Sequence, residues 1–311
     1  MVTPKVLILM ACYNGGAYIP AAVESLLTQD YDNLQIILSD DHSTDETPEI
    51  LAKIAAENPG ILRCYRPAER CGSAQKHFMH LIMAFHDAPY IMFCDQDDIW
   101  HPDKVRKTLH RMQQIEEKNV PAMVHTDLRV VDRELKEISP SFCAHSRLDG
   151  NRLAFRHLLV QNVVTGCTMM INGTLADLAC RDVDMDAMLM HDWWIALLAS
   201  SCGKAAFLPE ATIDYRQHGA NAVGAKDVHS ASFLWKRLTS QSMRQSLKAA
   251  ACQGKAFQKA YSDILTQEQT EILDAFASAV DASFFRRNKI YFQYGLIKKG
   301  LIRSVAQILG L

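Results

Sequence analysis

The sequence predicts an α/β fold with a mostly parallel central sheet, and three observations carry that prediction. Apolar runs and helix-periodic segments alternate through the first third of the chain, separated by short polar or glycine-containing breaks. The helical segments present their apolar residues on one side, as helices covering a sheet do. The chain has 311 residues, 49% of them hydrophobic, enough to bury a full core in one large domain or two.

Residues 6–11 form the first expected strand, which ends in the turn Tyr13-Asn14-Gly15-Gly16; Ile19, Ala22, Val23, Leu26 and Leu27 then recur at helical spacing. Residues 35–39 form the second strand. It breaks at Asp40-Asp41, and Ser43 with Glu46 reads as a capping box for a helix that turns Ile50, Leu51, Ile54 and Ala55 to the sheet. A third strand over 61–65 leads through Gly72 to a helix with Ala74, Phe78, Leu81, Ile82 and Phe85 on one side. The fourth strand, Tyr90-Ile91-Met92-Phe93-Cys94, delivers Asp95. Pro102 marks the start of the next helix, with Val105, Leu109 and Met112 facing inward. Further strands are expected over 122–131, 165–171, 205–208 and 212–215, with a polar surface excursion over 133–156 and a Trp- and Leu-rich helix after His191-Asp192. From residue 227 onward the pattern is helical.

A formal charge of −2 gives no footprint for nucleic acid. Nine cysteines, an odd number with no Cys-x-x-Cys pair and mostly inside apolar segments, read as reduced core residues of a cytoplasmic protein. The first apolar run, over 6–12, is too short for a signal peptide or a membrane span. The tail differs in charge from the rest. Between Asp281 and Leu311 there are six Lys or Arg against one acid, and Ile290, Tyr294, Ile297, Leu301, Val305 and Ile308 fall on one helical face with Lys299 and Arg303 opposite. Such a helix either lies on an anionic membrane surface or docks on the domain with a solvated basic side.

The chemistry centres on Asp95-Gln96-Asp97-Asp98. Three carboxylates where a buried strand emerges repel one another unless positive charge sits between them, and a divalent metal carrying a diphosphate is the usual solution. Strands one, two and four of a parallel sheet deliver their carboxyl ends to one side, so Tyr13, Asp40-Asp41 and Asp95 to Asp98 line one crevice, where such sheets bind ligands. Each string alone also reads as a turn or helix cap; their meeting at three strand ends points to a site. A dinucleotide-binding sheet would need a Gly-x-Gly-x-x-Gly turn after the first strand, which Asn14-Gly15-Gly16-Ala17-Tyr18 does not supply. A receiver-type domain would place its acidic pair where Tyr13-Asn14 stand, and a nucleotide-sugar pyrophosphorylase would open with a Gly-rich, Arg-containing loop, which is missing.

Met10-Ala11-Cys12-Tyr13-Asn14, Ser39-Asp40-Asp41-His42-Ser43-Thr44-Asp45, Asp95-Gln96-Asp97-Asp98-Ile99-Trp100 and His191-Asp192-Trp193-Trp194, in that order, resemble the signatures of the inverting family 2 glycosyltransferases with the GT-A fold. The full Asp-Gln-Asp-Asp-Ile-Trp string and Tyr215-Arg216-Gln217-His218-Gly219 make the likeness greatest to bacterial rhamnosyltransferase-like members. The resemblance implies a GT-A domain over 1–225, its 1–118 half binding a nucleotide sugar and its 119–225 half the acceptor, with a helical extension over 226–311.

Carried over residue by residue, the resemblance places Tyr13 against a pyrimidine base whose N3–H donates to Asp41, with Ala11, Asn14 and Asp40 on the same side of the donor pocket. It gives Asp97 to the ribose or donor sugar and Asp98 to a Mg²⁺ or Mn²⁺ bridging the two phosphates, with Asp95 beside it and His218 as a second metal-binding or basic residue. Arg216 and, more weakly, Lys76 are candidates for the diphosphate. Asp192 becomes the catalytic base facing the acceptor, and Gly166 lies below the acceptor site; Trp193 and Trp194 stack on sugar faces or fill core. The implied donor is dTDP-β-L-rhamnose or a UDP-hexose, and the implied acceptor is a hydroxyl of a surface polysaccharide or lipid-linked glycan precursor. Two departures bear on donor preference: Ala11 stands where many relatives carry Thr or Ser, and residues 66–70 lack the Asn commonly found ahead of the Gly. A non-catalytic sugar-binding relative would be expected to have lost Asp41, Asp97, Asp98 or Asp192, all of which are intact.

Overall fold

The computed structural model describes residues 3–217 and 240–310. Strands β1 (Val6–Cys12), β2 (Leu34–Asp40), β3 (Leu62–Tyr65) and β4 (Tyr90–Asp95) pair in parallel in the order β3-β2-β1-β4. They are joined by helices α1 (Ile19–Leu27), α2 (Thr47–Glu57) and α3 (Ala74–Ala84). The strand order reverses between β2 and β4, either side of β1, which opens a crevice beyond their carboxyl ends. Register puts those ends level: Cys12 lies opposite Asp40, and Ala11 opposite Asp95.

Past β4 the sheet becomes mixed. The short strand β5 (Ile99–Trp100) and helix α4 (Lys104–Ile115) precede β6 (Ala122–Val131), and β7 (Glu137–Ser139) folds back on β6. Next come the single-turn helices α5 (Phe142–His145) and α6 (Phe155–Leu158), then β8 (Met169–Asn172), α7 (Gly173–Ala179), α8 (His191–Cys202) and β9 (Lys204–Arg216). Strand β8 runs antiparallel between β4 and β6, β9 runs parallel to β6, and β5 pairs antiparallel with β9. The sheet is therefore mostly parallel but mixed, as expected.

Alternation along the strands divides the core into two layers. Val6, Ile8 and Met10 pack with Ile19, Val23, Leu26, Val105 and Met112 of α1 and α4. Leu7 and Leu9 face the other way, toward Phe78, Ile82, Trp194 and Leu198 of α3 and α8. Among the described residues, four C-terminal helices, α9 (Ser240–Ala260), α10 (Gln267–Ala279), α11 (Phe284–Tyr294) and α12 (Leu301–Leu309), cover this second layer. Leu247, Phe257, Phe276 and Tyr291 are buried in the same apolar cluster as α8, so these helices share the core of the sheet.

Several local expectations are corrected. Ser43 and Glu46 form no capping box: α2 begins at Thr47 with no side-chain cap at Glu46, because the polar residues before it serve the turn after β1 instead. Ser43 Oγ accepts from Asn14 N at 2.9 Å, Thr47 Oγ1 from Gly15 N at 2.9 Å and Asp45 Oδ2 from Gly16 N at 3.2 Å. The two strands expected over 205–208 and 212–215 are one strand, β9, whose pairing with β6 shifts register near Asp127. The strand expected over 165–171 opens as a 3₁₀ turn, Gly166–Thr168, before β8. The single tail helix is two helices, separated by Gly295 and Gly300, both at positive φ. Ile290, Tyr294 and Ile297 pack inward, but the break loses the phase, and Leu301 and Val305 turn outward. Among the described residues no helix is long and apolar enough to cross a membrane.

Candidate active site

The crevice floor is built by the turn after β1 and the loop after β4. Asn14 sits at φ 48°, a left-handed conformation that Asn tolerates, and its Oδ1 accepts from Thr44 N at 2.8 Å. Gln96 bridges the two loops: its Oε1 accepts from Tyr13 N at 2.8 Å and its Nε2 donates to Tyr13 O at 3.0 Å. A Cβ at Gly15 would lie 2.1 Å from Gln96 Oε1 and would push that amide off Tyr13. Tyr13 is thereby held at the surface, 38% exposed, with the Arg70 guanidinium 4.3 Å over its ring. Ala11, one residue inside the strand end, is half-buried opposite Asp95.

Asp40 and Asp41 are buried and organise the 66–72 loop. Asp40 Oδ1 accepts from Ser43 N at 3.0 Å, and Arg66 Nε approaches its Oδ2 at 3.7 Å. Asp41 accepts from Cys71 N at 2.6 Å and Gly72 N at 3.0 Å, one bond on each oxygen. Gly72, at φ +81°, lets the loop turn back onto that carboxylate.

The acidic cluster has distinct members. Asp95 and Asp97 are half-buried at the crevice, whereas Asp98 is fully buried. Asp98 Oδ1 accepts from Arg216 N at 3.2 Å, tying the cluster to the end of β9; Oδ2 has no hydrogen-bond partner. Carboxylate atoms of Asp95 and Asp98 and the Cys167 sulfur all lie within 4.8 Å of one another. Burial first, then the charges of Asp97 and Asp95, pushes the Asp98 carboxyl well above the usual range. Asp95 is pushed up to about 7 by burial, then by the charges of Asp97 and Asp192. An unpartnered buried oxygen among mutually repelling carboxylates suits a hard divalent cation. Cys167 does not suit one, because burial keeps its thiol protonated and sulfur is a soft ligand. The fully buried Lys104, 4.6 Å over the Trp100 ring and 3.4 Å from Thr212 Oγ1, supplies positive charge beneath the cluster.

Asp192 stands in the first turn of α8, buried. Its Oδ2 accepts from Gly166 N at 2.9 Å and its Oδ1 from Asn162 Nδ2 at 3.0 Å. Burial raises its carboxyl to about 7, against the pull of the Trp193, Gly166 and Asn162 donors. Gly166 admits no side chain, since a Cβ would meet His191 Nε2 at 2.6 Å. The 3₁₀ turn thus places Asp192 on Gly166 and the acidic cluster on Cys167, adjacent residues of one turn.

Other expected residues are placed differently. Arg216 is buried; its Nε donates to Asp97 O at 3.0 Å and its Nη1 to Arg133 O, with its guanidinium over the Tyr18 ring, so it braces the acidic loop. Lys76 Nζ pairs with Asp186 at 2.6 Å, which commits its charge to the segment before α8. Trp194 is fully buried, edge-on to Phe257, and is core; the half-buried Trp193 donates to Leu158 O. His218 lies outside the described residues. Sequence reasoning missed Asn162, Lys104 and Arg70, none of which sits in a recognisable string.

A parallel sheet with its carboxylates at the switch point, continued through the antiparallel strand β8 into the parallel pair β6 and β9, defines a glycosyltransferase of the GT-A architecture. Solved structures agree in fold: S. aureus TarS residues 1–349 in complex with UDP-GlcNAc superposes with a TM-score of 0.58 at 14% identity, over 99% of this chain and 79% of that one. Mannosyltransferase PcManGT from Pyrobaculum calidifontis, in complex with GDP-Man and Mn²⁺, gives 0.56 at 18% identity, over 100% and 86%. The family described as glycosyl transferase family 2 matches residues 7–171, more than half of the chain, and the protein belongs to that family. It is also 27% identical over 242 residues to dTDP-rhamnosyl transferase RfbG of Shigella flexneri, covering 74% of this chain and 78% of that protein.

Proposed function

We propose that this transferase moves one sugar, with inversion, from a nucleoside diphosphate donor to a hydroxyl of a surface polysaccharide or lipid-linked glycan precursor, and that dTDP-β-L-rhamnose is the donor. The observation that carries the reading is the turn over 166–168, which sets a single carboxylate raised to about 7 across from the acidic cluster. Asp192 takes the proton of the acceptor hydroxyl as its oxygen attacks the anomeric carbon. The bond to the diphosphate oxygen breaks with its electron pair going to the diphosphate, so one carboxylate suffices and no covalent intermediate forms. Tyr13 and Asp41 hold the base, Asp97 meets the ribose or donor sugar, and Asp98 with Asp95 beside it would hold Mg²⁺ or Mn²⁺. When bound, the cation supplies charge neutralisation for the departing diphosphate. The rhamnosyl donor is supported by the RfbG likeness; a UDP-hexose is the second reading, supported by the fold shared with UDP-GlcNAc-bound TarS. Calorimetry against dTDP-, UDP- and GDP-sugars with Mn²⁺ tests both.

The nine unpaired cysteines support a cytoplasmic location. A peripheral contact with the anionic inner membrane face is supported by exposed apolar side chains on α11 and α12, Phe285 at 84% and Leu301 at 81% among them, near the exposed Arg286 and Lys289. Asn288 Nδ2 donates to Ile308 O at 3.0 Å and holds the two helices together. In flotation with phosphatidylglycerol vesicles the full chain is expected to float, and Phe285→Ser with Leu301→Ser to bind about tenfold more weakly or worse. Equal flotation would remove the membrane contact. Surface substitution is preferable to truncation because Tyr291 and Leu296 are buried in the core.

A further inference from the structure

We infer that Asn162 is a positioning residue for the reaction: its side-chain amide fixes the orientation of the Asp192 carboxylate and sets its basicity. The inference rests on the reading of Asp192 as the base. Asn162 lies in the irregular segment between α6 and the 166–168 turn, and its amide is clamped from both ends. Oδ1 accepts from Val164 N at 3.0 Å, so Nδ2 must be the atom that faces Val164 O, at 2.9 Å, and Asp192 Oδ1, at 3.0 Å. A flipped amide would set donor against donor at Val164, so the backbone enforces a donor toward Asp192.

The consequence is geometric as well as electrostatic. Gly166 N holds Oδ2 and Asn162 holds Oδ1, so rotation of the carboxylate would break both bonds, and with Trp193 N as a third donor one lone pair of the carboxylate is left for the acceptor hydroxyl. The other groups around Asp192 do not do this work. His191 on the same helix is packed between Phe78 and Phe93 and kept neutral by burial, while Asp95 on β4 is a like charge that opposes ionisation. Trp193 N is a donor within the helix turn itself. Asn162 is thus the side chain that favours the ionised base, and losing it disfavours that form.

Asn162→Leu and Asn162→Ala test the inference by two readouts, with Asp192→Asn as the control. First, ¹³C NMR of aspartate-labelled protein follows the Asp192 carboxyl, assigned by its absence in Asp192→Asn. Its titration midpoint is expected to move up by about one pH unit in either Asn162 variant. Second, release of nucleoside diphosphate from dTDP-β-L-rhamnose and from UDP-glucose, with water as acceptor, is expected to fall about tenfold or more in kcat at pH 7. KM is expected to change less than about twofold, and kcat to recover as pH rises. An unmoved midpoint, with or without lower activity or thermal stability, would overturn the inference, leaving Asn162 as a loop-structuring residue. A shifted midpoint together with full turnover in Asp192→Asn would sustain Asn162's hold on the carboxylate and remove the base assignment instead.

Discussion

Asp192→Asn is expected to lower turnover about 10³-fold while leaving donor affinity within about twofold. The carboxylate lies beside the Gly166 turn, away from Tyr13, Asp40 and Asp41, so the donor side of the crevice keeps every contact described for it. What disappears is the acceptor of the proton. The substitution carries a structural cost as well. Gly166 N and Asn162 Nδ2 both donate to Asp192, and an amide has only one accepting end, so one donor is left facing another, at about 1–3 kcal/mol. Thermal unfolding should register that cost, and nucleotide binding should not. Wild-type activity should also rise with pH through about 7, because a base raised to that value is ionised only above it.

The second large effect is expected at Asp98. Mn²⁺ should stimulate nucleoside diphosphate release by the wild type about 100-fold or more, and release by Asp98→Asn less than about twofold. An Asn at this site can still accept from Arg216 N, so the fold should hold and the loss should be one of charge. Asp98→Leu should lose stability too, because it strands a buried Arg216 N–H, at about 1–3 kcal/mol. Asp97→Asn should weaken donor binding and leave the Mn²⁺ stimulation within about twofold of the wild-type value. If Asp98→Asn keeps its stimulation while Asp97→Asn loses it, the cation sits on the crevice carboxylates alone and Asp98 serves only to anchor β9 through Arg216.

Much of the donor-side half is legible in the residues, because β1, β2 and β4 are apolar runs ending in polar turns and their helices show one-sided periodicity. The same pattern places Tyr13, Asp40, Asp41 and Asp95 at one edge, and register confirms that their strand ends are level. Legibility fails where a residue's partner is distant in sequence. Lys76 and Arg216 are visibly cationic, yet nothing local reveals that Asp186 takes one and the backbone of the acidic loop the other. Ser43 looks like a cap until Asn14, 29 residues away, uses its hydroxyl. Trp194 offers both stacking and core roles, and only packing against Phe257 decides for core. In the tail, Gly295 and Gly300 break the helix, and periodicity carried across them assigns Leu301 and Val305 to the wrong side.

Donor binding is the property of this crevice that is measured most directly. Calorimetry of the full chain against dTDP-β-L-rhamnose, UDP-glucose, UDP-GlcNAc and GDP-mannose, with and without Mn²⁺, should give one nucleotide sugar with a Kd of roughly 1–100 µM that weakens about tenfold or more without the metal. The proposed donor predicts that this sugar is dTDP-β-L-rhamnose and that Asp41→Ala abolishes its binding. Binding of no nucleotide sugar, or binding indifferent to both Mn²⁺ and Asp41→Ala, would contradict the assignment of this crevice as a metal-assisted donor site.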